Sequence, residues 1–252
     1  MNELSFYTTL LWGSFGLALV TAVYLMFVTA PYGRHARAGY GPSISNVVGW
    51  VLMEAPAALV PLVMLSLGER HDVVTLIMVA IWEAHYVQRA FVYPALIKGR
   101  GARMPLGVAC SGATFNVLNG YLNFRFLTHF GPGYASSWLV DPRFLAGVAL
   151  FATGYLVNRH ADRVLRGLRA PGETGYKIPR GGLYRFISCP NYFGELIEWC
   201  GWAILTWSLP GLFFALFTAA NLVPRAVSHH RDYLRRFADY PSERRAIIPF
   251  LF

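Results

Sequence analysis

Seven apolar runs dominate this chain, each about as long as a bilayer-crossing helix. Such a helix takes about 20 mostly apolar residues. The runs are Phe6–Ala30, Val47–Leu67, Val73–Ile97, Pro105–Phe130, Phe144–Leu165, Tyr192–Ser208 and Leu212–Val227. Asn116, Asn119, Asn123 and Arg125 interrupt the fourth. Ser-Leu-Pro-Gly at 208–211 joins the last two and reads as a tight turn. The expected fold is therefore an all-α integral membrane protein with seven transmembrane helices. It forms one membrane-embedded domain over residues 1–252.

Composition agrees. Charged residues make up 14% of the 252 residues and the mean hydropathy is +0.40. A soluble domain carries roughly 25% charged residues, so most of this surface does not face water. The opening segment is too long, and too poor in early positive charge, for a cleavable signal peptide. It reads as the first span. The three cysteines, Cys110, Cys189 and Cys200, form no C-x-x-C pair and suggest neither a disulfide framework nor a zinc site.

Orientation follows from Lys and Arg. No basic residue precedes the first span, and the next loop carries Arg34 and Arg37. Arg70 stands alone in the loop after that, followed by Lys98, Arg100 and Arg103, and then by Arg143 alone. Segment 166–190 has Arg166, Arg169, Lys177, Arg180 and Arg185, whereas the 208–211 turn has none. The last segment has Arg231, Arg235, Arg236, Arg244 and Arg245. Rich and poor loops alternate, which predicts the N-terminus outside and the C-terminus cytosolic. This pattern also accounts for the net charge of +9, so nucleic acid is rejected as a partner. No obligate protein partner is evident.

Ionisable groups inside spans are expensive and usually line a cavity or pathway. Glu54, Glu83 and His85 are three such groups, with Tyr86 beside them. Glu54 lies ~10 Å and Tyr86 ~16 Å from the cytosolic ends of their antiparallel spans, at 1.5 Å per residue. A carboxyl and a phenol at similar depth can converge on one polar atom of a ligand. The plainer reading is a hydrogen bond between the two and nothing more. Glu83 rivals Glu54, and His85 faces elsewhere on its helix, as a packing or capping residue would.

Three further polar stripes end the last three spans. Asn158, Asp162, Leu165 and Arg169 share one helix face, as do Asn191, Glu195 and Glu198, and Arg225, His229 and Tyr233. Any one of them reads as a solvated helix end. Three at one membrane level suggest a polar site open to the cytosol. Arg suits phosphates, and acids and Asn suit ribose hydroxyls and amides. No G-x-G-x-x-G, P-loop or H-E-x-x-H motif is present, so a bound nucleotide would sit in a helical fold, and no metal is expected.

Several long stretches resemble the steroid 5α-reductase family, the 3-oxo-5α-steroid 4-dehydrogenases. One is Arg169-Ala-Pro-Gly-Glu-Thr-Gly-Tyr-Lys-Ile-Pro-Arg-Gly-Gly-Leu183, and another is Asn191-Tyr-Phe-Gly-Glu-Leu-Ile-Glu-Trp199, continuing to Thr206-Trp-Ser-Leu-Pro210. His229-His-Arg-Asp-Tyr-Leu234, Asp239-Tyr-Pro241 and Ile247-Ile-Pro-Phe250 follow. Leu52-Met-Glu-Ala-Pro56 and His85-Tyr-Val-Gln-Arg-Ala-Phe-Val-Tyr93 extend the likeness to the first half. The resemblance implies NADPH as cofactor and a steroid or sterol-like lipid as substrate. It puts Glu54 and Tyr86 on the substrate's C3 ketone as catalytic residues. It also puts Asn158, Asp162, Arg169, Tyr176, Asn191, Glu195, Arg225, His229 and Tyr233 on the cofactor. The substrate cavity then falls mainly in 1–130 and the NADPH site mainly in 150–252.

The implied reaction is hydride transfer from NADPH to C5 of a Δ4-3-keto steroid, giving the 5α-dihydro-3-oxosteroid. Tyr86 can donate to the C3 oxygen, and Glu54 can do so when protonated, the form an apolar surrounding favours. Two departures stand out. Met53 occupies a position where the family's eukaryotic steroid enzymes tend to have Gln, so one polar contact near the steroid is missing and substrate identity does not carry over with it. Ser188-Cys-Pro-Asn191 also differs, with a proline before the cofactor Asn. An isoprenylcysteine-type methyltransferase using S-adenosylmethionine, a reductase of a non-steroid lipid enone and a non-catalytic sterol carrier are the alternatives. The expected location is multi-pass in the membrane, the inner membrane of a bacterium or the endoplasmic reticulum of a eukaryote.

Overall fold

The computed structural model describes residues 2–31, 33–35, 37, 39–97, 102–168, 173 and 175–252. The protein is mostly helical, and every one of the seven apolar runs coincides with a helical segment. α1 is Glu3–Phe27 and α2 is Asn46–Leu67. α3, Val73–Val87, passes through a π-helical turn, Gln88–Val92, into the short α4, Tyr93–Ala95. α5, Leu106–Arg125, likewise ends in a π-helical turn, Phe126–Phe130. α6 is Pro142–Gly167, α7 is Pro190–Thr206 and α8 is Leu209–Arg236. Among the described residues, α1, α2 and α8 are long and apolar enough to cross a membrane.

Some details depart from the sequence reading. Two three-residue strands, β1 (Ser43–Ser45) and β2 (Arg103–Pro105), pair antiparallel with Ile44 opposite Met104. The turn between α7 and α8 is tighter than 208–211. Trp207 takes a left-handed conformation at φ 43°, and Ser208 caps α8 by accepting from Gly211 N at 3.1 Å. α8 also runs past Val227 to Arg236, carrying the whole third stripe on one helix.

The chain forms two compact units. One comprises Met1–Gly13 and Ala30–Phe144, the other Ser14–Thr29 and Leu145–Phe252. In the first unit, α2 and α5 meet through glycines. A Cβ on Gly112 would lie 2.8 Å from Met53 Sδ, and one on Gly120 3.0 Å from Val60. Pro56 and Pro61 lie inside α2. A helix-interior proline lacks the N–H that would pair the carbonyl four residues earlier, and Pro61 therefore frees the carbonyl of Ala57. Trp82 of α3 supplies the missing donor, Nε1 to Ala57 O at 2.8 Å. At membrane depth such re-pairing is what makes a proline tolerable.

The second unit has a glycine seam between α6 and α7. Cβ atoms on Gly154 and Gly194 would each meet the other's carbonyl, at 2.5 and 2.7 Å. Gly147 and Gly201 repeat the arrangement at 2.7 and 2.6 Å. Each pair lies seven residues from the other on both helices, so the seam spans two turns. Small residues at this spacing let helix backbones approach closely.

Candidate active site

In the first unit, the Trp82–Ala57 bond sets the register of α2 against α3. Three residues back along α2 and three or four forward along antiparallel α3 bring Glu54 level with His85 and Tyr86. His85 and Tyr86 are buried and Glu54 is half-buried. The Tyr86 ring lies 4.8 Å from the Trp82 ring and 4.9 Å from His85. His85 and Arg89 are both within electrostatic reach of the Glu54 carboxyl. The Arg89 guanidinium sits 4.7 Å over both the Trp50 and Tyr93 rings. Glu83 is half-buried on the same helix.

Asn116 of α5 is the partner that the sequence reading missed. It donates Nδ2–H to Met53 O at 2.7 Å and to Glu54 Oε2 at 3.2 Å. Asn116, Asn119 and Asn123 are all buried. Their i, i+3, i+7 spacing puts them on one face of α5, and that spacing was the available signal.

In the second unit, Asn158 on α6 donates to Asn191 O at 3.1 Å and to Glu195 Oε1 at 3.0 Å, both on α7. The glycine seam places it there, because Asn158 lies one turn past Gly154 as Asn191 lies just before Gly194. Pro190 occupies the first turn of α7. Its fixed φ suits that place and its missing N–H is harmless there, so the departure at Ser188–Asn191 starts the helix instead of disturbing it. Asp162, buried, is one turn beyond Asn158 on the same face.

Arg225 and His229 of α8 meet on Tyr192. The guanidinium lies 5.7 Å over the Tyr192 ring, the imidazole stacks on it at 5.7 Å, and Tyr192 OH is 3.1 Å from His229 Nε2. Tyr233, buried, stacks on Tyr240 at 5.1 Å. Tyr240 OH is in turn 2.6 Å from Ser188 Oγ, which is 2.7 Å from His230 Nδ1. Tyr176, half-buried in an irregular segment, lies under the Arg236 guanidinium at 4.7 Å. Arg169 lies outside the described residues. Tyr192, Ser188, His230 and Tyr240 escaped the sequence reading because their partners come from other helices or from the tail. The described residues hold no group of three or more His, Cys, Asp or Glu suited to a metal ion.

Buried amide, carboxylate, guanidinium and imidazole groups, clustered at the ends of long apolar helices, define a helical membrane protein with built polar sites. The donor set of the second unit fits a nucleotide: a guanidinium for phosphate, and acids and an amide for hydroxyls and carboxamide. Comparison with known proteins gives the family. The model of the 3-oxo-5-alpha-steroid 4-dehydrogenase family matches residues 102–252, and the chain belongs to that family. A steroid 5-alpha-reductase of Gossypium hirsutum is 43% identical over 241 residues, covering 94% of this chain and 93% of the relative. The 3-oxo-5-alpha-steroid 4-dehydrogenase 1 of Bos taurus is 45% identical over 241 residues, 93% of each chain. The enzyme of that name from Mus musculus is 42% identical over 254 residues, 100% of this chain and 99% of its own.

Proposed function

We propose that this protein is an NADPH-dependent steroid 5α-reductase that saturates the Δ4 double bond of 3-oxo-Δ4-steroids. The observation that carries the reading is the level placement of Glu54 and Tyr86 on α2 and α3, fixed by the Trp82–Ala57 bond. The near-full-length identity to reductases of that activity supports it. NADPH supplies the hydride that C5 receives. As C5 gains hydride, negative charge develops on the C3 oxygen, and C4 then takes a proton. The Tyr86 hydroxyl and the protonated Glu54 carboxyl donate to that oxygen, and donors already in place stabilise the transition state more than the ground state. Glu54 and Tyr86 belong to the first unit and hold the steroid. Asn158, Asp162, Arg169, Tyr176, Asn191, Glu195, Arg225, His229 and Tyr233 hold the cofactor, and with Arg169 excepted their described positions belong to the second.

We further propose that the seven helical segments all span the membrane, with the N-terminus outside and the C-terminus cytosolic, and that the whole chain works as one domain. A steroid then arrives through lipid and the cofactor from the basic side. Thiol labelling of single cysteines introduced at the loops tests this; labelling of two consecutive loops from the same side would overturn it. The function is tested by NADPH oxidation in detergent-purified protein, with and without progesterone or testosterone, identifying the product by mass and stereochemistry. Steroid-dependent oxidation to a 5α-dihydro product is expected. NADPH binding without turnover of any Δ4-3-ketosteroid would remove the substrate assignment, and absence of NADPH binding would remove the reductase reading.

A further inference from the structure

We infer that Asn116 is a positioning residue for Glu54, one that assigns different tasks to the two carboxyl oxygens: Oε2 accepts from the Asn116 amide, and Oε1 carries the proton offered to the substrate ketone. The inference rests on the proposed role of Glu54 and deepens it.

The geometry begins with the approach of α2 and α5. Gly112 and Gly120, four residues either side of Asn116, take the Met53 and Val60 side chains of α2 into the space a Cβ would fill. Asn116 sits midway along that contact and is buried. Its amide has two hydrogens, and both are used. One goes to Met53 O at 2.7 Å and the other to Glu54 Oε2 at 3.2 Å. A peptide carbonyl only accepts. The Met53 carbonyl therefore decides which end of the amide faces α2, and Nδ2 must be the atom there. A flipped amide would set oxygen against oxygen at the Met53 carbonyl, where no hydrogen is available.

The consequence reaches Glu54. An amide N–H can only donate, so Oε2 is held as an acceptor. When Glu54 is protonated, the hydrogen belongs on Oε1, away from the amide. Without Asn116 the two oxygens would be equivalent, and the carboxyl could turn either one toward the ligand. The Met53 side chain lies against Gly112, and the polar contact to Glu54 comes from α5.

The test reads Glu54 directly. Difference infrared spectra between wild type and Glu54→Gln isolate the carboxylic C=O band of Glu54. That band is expected to move to higher wavenumber in Asn116→Leu, which loses the accepted hydrogen bond, and to return toward the wild-type position in Asn116→Gln. Asn116→Ala, which deletes the amide without adding bulk, gives the same readout should the leucine variant fail to fold. With progesterone and NADPH, kcat of the leucine variant is expected to fall about tenfold, the scale of one lost hydrogen bond to a catalytic group, with KM little changed. A band that stays in place without Asn116, or no carboxylic band in the wild type, would overturn the inference. Movement of the band in a protein that reduces no Δ4-3-ketosteroid would sustain the positioning role and defeat the functional reading alone.

Discussion

Trp82 donates its indole N–H to the carbonyl of Ala57 at 2.8 Å, the carbonyl that Pro61 leaves without a helical partner. One bond thus repairs α2 and brings Tyr86, one turn along α3, level with Glu54. Trp82→Phe keeps most of the ring, which also packs 5.0 Å from Phe124, and removes only the donor. Leaving a buried carbonyl unpaired costs about 1–3 kcal/mol. The variant is expected to melt lower in detergent and to lose kcat more than steroid affinity. Unchanged stability would mean that the Ala57 carbonyl finds another donor.

The α6–α7 seam carries Asn158 and Glu195 of the proposed cofactor site. Gly154 approaches the Glu198 backbone and the Gly194 carbonyl so closely that any Cβ collides with main chain, which cannot swing aside. Gly154→Ala is expected to cost about 1–3 kcal/mol and to weaken NADPH binding through Asn158, one turn away. Thermal unfolding and NADPH titration measure both. Gly167→Ala is the control, because nothing lies within 4 Å of a Cβ there.

The helices themselves were legible in the sequence because lipid demands long apolar runs, and each run coincides with a helix. The Asn158–Glu195 pairing was legible in part, since i, i+4 spacing put each residue on a polar face. Spacing within one helix says nothing about the register between two, and here that register is set by Gly147, Gly154, Gly194 and Gly201, which carry no side-chain signal. Asn116 was visible only as an interruption of an apolar run. Its role depends on Met53 and Glu54, some sixty residues earlier in the chain. Ser188, His230 and Tyr240 come from a loop, a helix and the tail, and no local pattern joins them.

Asn158→Asp tests the second site by charge. It keeps the shape of the side chain, removes both amide hydrogens and sets a second carboxylate where a donor faced Glu195 at 3.0 Å. Like charges at that distance repel. NADPH affinity is expected to fall at least about tenfold, equivalent to ~1.4 kcal/mol, while steroid binding to the first unit is unaffected. Glu195→Gln in the same background is expected to recover part of the loss, since it removes the repulsion.

Asp72, outside the spans, caps α3. Its Oδ1 accepts from Thr75 N at 3.0 Å and its Oδ2 from Thr75 Oγ1 at 2.8 Å. Partial burial pushes the carboxyl up, but the bonds from Thr75 and the Val74 N–H outweigh it and hold it below its ordinary 3.8. A depressed folded value means that the stabilisation is present above 3.8 and is lost as pH falls through the lower folded value. Asp72→Ala is expected to cost about 1 kcal/mol at neutral pH. The gap in melting temperature between wild type and variant should close as the pH is taken well below 3.8. A gap that persists in acid would assign the effect to packing instead of the cap.

Tyr86→Phe is the sharpest test of the chemistry. The hydroxyl is the only group removed, and the ring contacts with Trp82 and His85 remain available. If the hydroxyl donates to the C3 oxygen as charge develops there, its loss falls on kcat by roughly 10²–10³, or ~2.7–4 kcal/mol. NADPH affinity, which the proposed assignment places on the second unit, should hold. A combined Glu54→Gln, Tyr86→Phe variant should lose less than the product of the two single effects, because both donors act on one oxygen and their energies are coupled. Near-wild-type turnover by Tyr86→Phe would remove the hydroxyl from the reaction and leave Tyr86 a packing role against Trp82 and His85.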